Sequence, residues 1–334
     1  MSNYKVKIKG TGMYVPKKVL TNVDLEKIVD TSDEWIFERT GMRERHICST
    51  EGGEWPTDMA LYAAKDALKA ANLEPNDIDF ILFGSVTPDY KLPNSATVLQ
   101  TKLGITNNCA ALDISAACSG FVYGFNMATA MIRTGMIKNA LIVGSEMLSR
   151  EVNWEDRNTC ILFGDGCGVA VVGRNEDEND QSDVLATYLG ADGTGKEFFD
   201  QPIGGAVEPI TEEHLEKKNY FMQMKGREMF KVATRTLAGN AKRVLEQTEL
   251  KLEDVDWLVP HQANIRIIET TGKLLGIDPD KVIINIDKYA NTSAATVPMA
   301  FHEAIQEGKI KRGDIVMFDA FGAGLTTGAT LIKY

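Results

Sequence analysis

Residues 132–143 read IRTGMIKNALIV, and residues 305–316 read IQEGKIKRGDIV. At an offset of 173, Ile132, Gly135, Ile137, Lys138, Ile142 and Val143 recur as Ile305, Gly308, Ile310, Lys311, Ile315 and Val316. Each passage has the pattern of a helix end, a glycine that stops it and a buried strand. Upstream, LEPNDIDFILFGSV (73–86) parallels LKLEDVDWLVPHQA (250–263), and LGITNNCAALDIS (103–115) parallels LGIDPDKVIINID (275–287). The offset drifts by a few residues, as loop insertions cause. Convergent α/β punctuation accounts for a single match; several in the same order favour duplication of one α/β unit.

The chain of 334 residues is long enough for two such units. Residues 1–173 are read as the first half and 184–334 as the second. The polar acidic run RNEDENDQSD (174–183) is read as a solvated connector. Helices are expected over 57–71, 119–134, 227–247, 263–274 and 292–306. Buried strands are expected over 79–86, 139–145, 168–173, 184–191, 255–260, 314–319 and 327–333.

Composition narrows the function classes. Hydrophobic residues make up 44% and charged residues 25%, as in soluble globular proteins. The net charge of −11 disfavours nucleic acid, whose phosphates need a basic surface, but leaves room for a local basic patch. No run approaches ~18 apolar residues, so no membrane span is expected. The opening MSNYKVKIKG has no apolar leader core, and the expected compartment is the cytoplasm. Five cysteines, an odd number without a CxxC pair, are expected to be free thiols and not zinc ligands; no metal is expected.

One cysteine has a chemical setting. In DISAACSGFVYGFNMATAMI (113–132) a short strand leads through small residues to Cys118 and then a long apolar helical run. A thiol at a helix N-terminus meets unpaired N–H groups and the helix dipole, which favour the thiolate. A buried packing cysteine is the equal alternative on this feature alone. Cys48 follows the charged RERHI, Cys109 precedes an apolar strand, and Cys160 and Cys167 flank LFGDG in an apparent strand–turn–strand; all four read as packing residues.

A cysteine nucleophile needs proton chemistry nearby. Of four histidines, His46 and His214 lie in polar contexts and His302 falls inside a helix pattern. His261 differs: it ends the apolar strand VDWLVP and precedes a helix, and catalytic groups of α/β sheets collect at strand C-termini. Asn291, in KYANTSAATVPMAF, falls through the repeat near the place Cys118 holds in the first half; alone it reads as a plain N-cap. AFGAGLTTGATLIKY (320–334) is a glycine-rich turn between strands, able to bring bare N–H groups to a bound oxyanion or to serve as a plain hairpin.

Six motifs together carry a resemblance: TSDEWIFERTGMRER (31–45), DISAACSGF (113–121), DRNTCILFGDG (156–166), VPHQANIR (259–266), YANTSAA (289–295) and FGAGLTTGA (321–329). Over essentially its whole length the chain resembles the β-ketoacyl-ACP synthase III family, the initiating condensing enzymes of bacterial fatty-acid synthesis. The resemblance implies an α/β thiolase fold with a duplicated five-layered α-β-α-β-α arrangement. It implies an acyltransferase that condenses an acyl-CoA primer with malonyl-ACP through an acyl-Cys118 thioester. His261 and Asn291 would stabilise the enolate formed as CO2 leaves, and the N–H groups of Cys118 and Ala323 would form an oxyanion hole. Trp35 and Arg157 would sandwich the adenine of CoA, assisted by Thr31 and Arg39. Lys231, Arg266 and Lys273 would dock the acyl carrier protein (ACP), and Leu92 would border the acyl pocket and the dimer interface. A homodimer without cofactor is also implied.

The sequence departs from that family at several places. Ala323 stands for a usual glycine, Thr327 for a tryptophan, Arg227 for a small polar residue, Leu274 for a second lysine and Leu92 for a frequent phenylalanine. Two other readings stay open: a condensing enzyme of secondary metabolism with an unusual starter acyl-CoA, and a catalytically inactive binding protein of the same fold.

Overall fold

The computed structural model describes residues 4–49 and 51–334; the first three residues of the leader segment weighed above lie outside it. The first sheet contains β1 (Val6–Tyr14), β2 (Phe80–Gly84), β3 (Ala110–Ile114), β4 (Asn139–Met147) and β5 (Asp165–Arg174), in the order β1-β5-β4-β2-β3. β2 runs parallel to β3 and β4, β5 antiparallel to β4, and β1 antiparallel to β5. The second contains β6 (Asp183–Ala191), β7 (Trp257–Pro260), β8 (Ile315–Gly322) and β9 (Thr326–Lys333), in the order β7-β8-β9-β6. Its pairings are parallel, antiparallel and antiparallel. Strand for strand this repeats the first sheet, with β7, β8, β9 and β6 standing for β2, β4, β5 and β1. The counterpart of β3 shrinks to a single parallel bridge, Leu258–Val282.

Both faces of each sheet are buried, and the period-two alternation of side chains sorts each strand between two layers. The helices that cover them are α1 (Asp33–Thr40), α2 (Pro56–Ala71), α3 (Ser95–Leu103), α4 (Gly120–Arg133), α5 (Gly226–Leu245), α6 (Ile265–Leu275) and α7 (Thr296–Gln306). Ile81, Phe83, Leu141 and Val169 turn outward onto Met59 and Ala63 of α2 and Leu99 of α3. Phe80, Leu82 and Ile142 turn inward, as do Val259, Val316 and Phe318 of the second sheet, and between them lie Phe121 and Phe125 of α4 and Phe301 of α7. Leu258, Met317 and Leu331 turn outward onto Ala241 and Val244 of α5. The result is the five-layered α-β-α-β-α arrangement, with α4 and α7 as its middle layer.

The repeat is real but its register is not uniform. Phe80 opposes Ala140 and Trp257 opposes Val316, so Val316 is the counterpart of Ala140, not of Val143. The loop after Gly308 (309–314) is three residues longer than that after Gly135 (136–138). α7 is correspondingly shorter than α4, 11 residues against 14. The one-letter identities at Ile142 and Val143 are therefore accidents of a compensating deletion and insertion.

Other differences have local causes. The helix expected over 292–306 begins as a 3-10 turn, Ser293–Ala295, because Ser293 takes φ +50°. Cys160 ends a helical turn (Arg157–Cys160) and not a strand, since the Asp156 side chain accepts the Asn158 N–H and caps it. β1 was not expected: its lysines at alternate positions hide Val6 and Ile8, which are buried.

Phe318 is fully buried, and its ring meets those of Phe121, Phe125 and Phe301 edge-on at centroid distances of 6.3, 5.7 and 4.9 Å. It ties both middle helices to the second sheet. Phe318→Ala is expected to cost about 3–5 kcal/mol, read as a lowered urea midpoint.

Candidate active site

Three segments from opposite halves meet at the tips of the middle helices. After β3 the chain turns sharply at Ala117, which takes φ +44°, and a 3-10 turn (Ala117–Ser119) carries Cys118 into α4. The β8–β9 hairpin clasps this turn: Thr326 Oγ1 donates to the Ala116 carbonyl at 2.8 Å, and Ser119 Oγ donates to the Thr326 carbonyl at 3.1 Å. Gly322 lets the hairpin come this close, because a Cβ there would fall 2.6 Å from the Cys118 backbone nitrogen.

His261 follows β7. Its backbone N–H donates to the Asp319 carbonyl at 2.8 Å, which extends the ladder by one bond and fixes where the ring leaves the sheet. The ring is 2% exposed and its Nδ1 lies 2.7 Å from Thr296 Oγ1. Asn291 is held through its backbone: its N–H donates to the Leu162 carbonyl at 3.0 Å, and the Gly164 N–H donates to its own carbonyl at 3.1 Å. Its Oδ1 accepts the Ser293 N–H at 2.8 Å. Since a backbone N–H can only donate, the oxygen must face it, and Nδ2 is left as a donor. The structural counterpart of Cys118 is Ala294, the middle residue of the matching 3-10 turn, and Asn291 lies three residues upstream of it.

Cys118, His261 and Asn291 line one cavity of about 250 Å³ with Phe321 and Gly322. Cys118 also borders a second cavity of about 160 Å³, with Val86, Leu148, Phe163, Met222 and Ala323 on its walls. The thiol thus stands between two largely apolar spaces.

That setting overrides the expected thiolate. Burial pushes the Cys118 thiol up to about 12; a hydrogen bond from Ser293 opposes this, and the nearby Glu146 charge adds to it. The resting thiol is protonated, so the α4 N-terminus acts on charge that appears during reaction. Burial pushes His261 down to about 3, keeping the imidazole neutral. Burial raises Glu146 to about 7 despite the hydrogen bonds it accepts from Thr87 Oγ1 at 2.7 Å, Ser85 Oγ and the Val86 N–H. The other four cysteines are buried, and desolvation pushes each thiol upward. All five thiols are free.

At the mouth of the larger cavity stand Trp35, Arg39 and Asn158. The guanidinium carbons of Arg39 and Arg157 lie 4.3 and 4.9 Å from the Trp35 ring centroid. Arg157 therefore already covers the indole, and a base can enter between them only if the guanidinium swings away. Thr31 precedes α1, and its buried hydroxyl has no hydrogen-bond partner among the described residues. Lys231 on α5 and Arg266 and Lys273 on α6 are exposed, as are Arg227 and Leu274. Arg266 is tied down, donating twice to the Glu38 carbonyl at 3.0–3.2 Å.

Leu92 lines neither Cys118 cavity within this chain. It is 87% exposed at the tip of the loop after β2, while Val86 in the same loop forms the wall. Thr327 belongs to a buried polar trio. Asn240 Nδ2 donates to Thr327 Oγ1 at 2.5 Å and to Asp319 Oδ1 at 2.9 Å, and burial holds the Asp319 carboxyl well above the usual range.

Sequence reasoning missed the apolar walls and the buried partners. Phe199, Met222, Met224 and Met229 come from the long excursion after β6 and carry no motif beyond hydrophobicity. Glu146, an acid near the end of the buried strand β4, and Thr296, the hydroxyl that ends NTSAAT, were visible signals. Among the described residues no group of three or more His, Cys, Asp or Glu could hold a metal ion, and no helix is long and apolar enough to cross a membrane.

Comparison with known proteins gives this geometry a class. Solved structures of 3-oxoacyl-ACP synthases superimpose along nearly the full length; that from Aquifex aeolicus VF5 does so with a TM-score of 0.90 and 48% identity, covering 98% of this chain and 100% of its own. The priming β-ketosynthase of the R1128 polyketide biosynthetic pathway superimposes with a TM-score of 0.89 at 28% identity, covering 99% and 97%. The fold is thus that of the thiolase-like condensing enzymes. The family profile "3-Oxoacyl-[acyl-carrier-protein (ACP)] synthase III" matches residues 112–193, and its C-terminal companion matches 245–334. The β-ketoacyl-[acyl-carrier-protein] synthase III of Caldanaerobacter subterraneus subsp. tengcongensis is 50% identical over 98% of this chain and 97% of its own. The chain belongs to the β-ketoacyl-ACP synthase III family.

Two buried groups give opposite pH signatures. Glu146, raised above its ordinary 4.5 to about 7, contributes stability that is complete below 4.5 and lost as pH rises through about 7. His261, lowered from 6.5 to about 3, contributes stability that is complete above 6.5 and lost as pH falls towards 3. Glu146→Gln is therefore expected to remove a decline in unfolding free energy between pH 4.5 and about 7, measured by urea denaturation. An unchanged slope contradicts the burial argument.

Proposed function

We propose that the chain initiates fatty-acid synthesis by condensing an acyl-CoA primer with malonyl-ACP, giving β-ketoacyl-ACP, CO2 and CoA. The observation that carries this reading is the convergence of Cys118, His261 and Asn291, far apart in sequence, on one cavity. Cys118 sulfur attacks the acyl-CoA carbonyl; the C–S bond to CoA breaks, and the thiol proton ends on the CoA sulfur. In malonyl-ACP the bond to the carboxylate then breaks, CO2 leaves and the electron pair passes into a thioester enolate. His261 and Asn291 hydrogen-bond the enolate oxygen. The enolate carbon attacks the acyl-Cys118 carbonyl, and the released sulfur is reprotonated. The backbone N–H groups of Cys118 and Ala323 receive the tetrahedral oxyanions. A well-placed neutral donor lowers such a barrier by about 3 kcal/mol, and the neutrality of His261 suits a donor that must not attract the malonyl carboxylate.

Trp35, Arg39, Arg157 and Thr31 are assigned to CoA. Their support is the position of Trp35 and Arg39 at the cavity mouth and the unpartnered Thr31 hydroxyl. Lys231, Arg266 and Lys273 are assigned to ACP. Exposed Arg227, Lys231 and Arg235 follow one another at four-residue spacing along α5, so one helix face is cationic on a chain of net charge −11. Arg227 offsets the charge missing at Leu274. Leu92 is assigned to the acyl pocket of a second copy in a homodimer, and its exposure beside the Val86 wall supports this. The halves are taken to meet at 174–183, between the end of β5 and the start of β6. No cofactor enters the scheme, and five free thiols suit the cytoplasm.

The starter-unit reading from secondary metabolism is less favoured, since the polyketide-priming structure is 28% identical against 50% for the curated synthase III. The small apolar cavity beyond Cys118 also suits a short aliphatic primer. The inactive-protein reading leaves three polar side chains in one apolar cavity without a use.

Intact-mass spectrometry after incubation with acetyl-, isobutyryl-, octanoyl- and aromatic acyl-CoAs tests the scheme. Cys118→Ala is expected to abolish acylation. His261→Ala and Asn291→Ala are expected to acylate but to lose condensation by about a hundredfold or more. Equal loss of both half-reactions in all three variants overturns the roles. Lys231→Glu is expected to raise KM for malonyl-ACP several-fold and leave acylation by acyl-CoA unchanged; equal effects on both would remove Lys231 from the ACP surface.

A further inference from the structure

Asn291 and His261 face one cavity, yet only Asn291 has its hydrogen-bonding sense fixed by backbone. The Ser293 N–H occupies Asn291 Oδ1 and leaves Nδ2 as the donor. A neutral imidazole has no such assurance, because its single proton can sit on either nitrogen. With the proton on Nδ1, Nε2 turns a lone pair to the cavity and repels an enolate oxygen. With the proton on Nε2, the cavity gains a second donor.

The atom facing Nδ1 is the hydroxyl oxygen of Thr296, the first residue of α7 and 2% exposed. That hydroxyl has one proton and two acceptors in reach: Nδ1 at 2.7 Å and the Ser293 carbonyl at 3.0 Å. The carbonyl already accepts the backbone N–H of Thr296 itself. Nδ1 makes the shorter of the two contacts and meets no other partner among the described residues, whereas the carbonyl keeps its backbone bond wherever the hydroxyl proton points.

We propose that Thr296 is a positioning residue whose hydroxyl donates to His261 Nδ1, holds the imidazole as its Nε2–H tautomer and so makes His261 the second donor to the enolate oxygen of the malonyl thioester. This rests on the decarboxylative reading of the site. One six-residue segment, Asn291–Thr296, then fixes both donors, Asn291 through the Ser293 N–H and His261 through the Thr296 hydroxyl. A ring held this way cannot take the Cys118 proton on Nε2, so Thr296 acts on decarboxylation and not on acyl transfer.

The test uses full-length protein with 15N-labelled histidine, the His261 signals being assigned by comparison with His261→Ala. Wild-type protein is expected to show a protonated Nε2 and an Nδ1 shifted as a hydrogen-bond acceptor. Thr296→Val keeps the shape and removes the hydroxyl; its ring spectrum is expected to move towards mixed tautomers. Malonyl-ACP decarboxylation should fall about 10- to 100-fold, the range for weakening one oxyanion donor, while acylation of Cys118 stays within about threefold of wild type. Thr296→Ser should restore both the spectrum and the rate. A wild-type ring protonated on Nδ1 overturns the proposal. So does a Thr296→Val protein that decarboxylates at the wild-type rate, or one that loses both half-reactions equally with an unchanged ring spectrum. If wild-type protein decarboxylates no malonyl thioester, the functional reading fails, while the nitrogen spectrum still decides the tautomer.

Discussion

The contact on which the rest depends is the meeting of two short turns between the sheets. Ala117–Ser119 and Ser293–Ala295 each open on a residue in the left-handed region, and each feeds a middle-layer helix. They touch through small atoms: a Cβ on Gly120, which follows the first turn, would fall 3.3 Å from Ala294 Cβ in the second, and the end of β2 closes on the same spot, where a Cβ on Gly84 would fall 2.7 Å from the Gly120 carbonyl carbon. Only glycine and alanine allow this approach. A methyl at Gly120, or anything larger than the methyl of Ala294, would push the helix tips apart and separate Cys118 from the side chains that follow the second sheet.

Desolvation is the other side of the same packing. The layers that bring the tips together also exclude water from them, which keeps the thiol protonated and the imidazole neutral. The thiol and the imidazole are thus uncharged at rest, and charge developing on a bound group would meet fixed donors in a dry surrounding. Glu146 shows the limit of this tolerance: three donors surround its carboxylate, and burial still raises it to about 7.

Much of the architecture was legible because it is periodic. The seven strands expected beyond β1 and β3 stand within three residues of their predicted ends, and the repeat announced the two sheets. The register failed at Ile142 and Val143 because a shortened helix and a lengthened loop cancel in the count. β1 escaped because Lys5, Lys7 and Lys9 mask a strand whose buried residues, Val6, Ile8, Gly10, Thr11 and Gly12, include few apolar side chains. The convergence of Cys118, His261 and Asn291 on one cavity was legible only when strand-end and helix-start positions were taken together with the six motifs, since Asn291 alone reads as an N-cap. The thiol's protonation was not, because a helix N-terminus is visible in sequence while the burial that opposes it depends on both sheets. That Leu92 stands outside both Cys118 cavities of its own chain was hidden for a similar reason, since sequence gives a residue's neighbours along the loop but not the side of the wall on which it stands.

The clasp of the β8–β9 hairpin over the Cys118 turn has one more consequence. Thr326 and Ser119 join halves that each carry an incomplete set of groups, so neither half alone can hold a competent centre. Alignment of the reacting atoms and cohesion of the seam are then a single quantity. Heat or denaturant that loosens the middle layer while both sheets remain intact would part these groups, so inactivation is expected to precede melting.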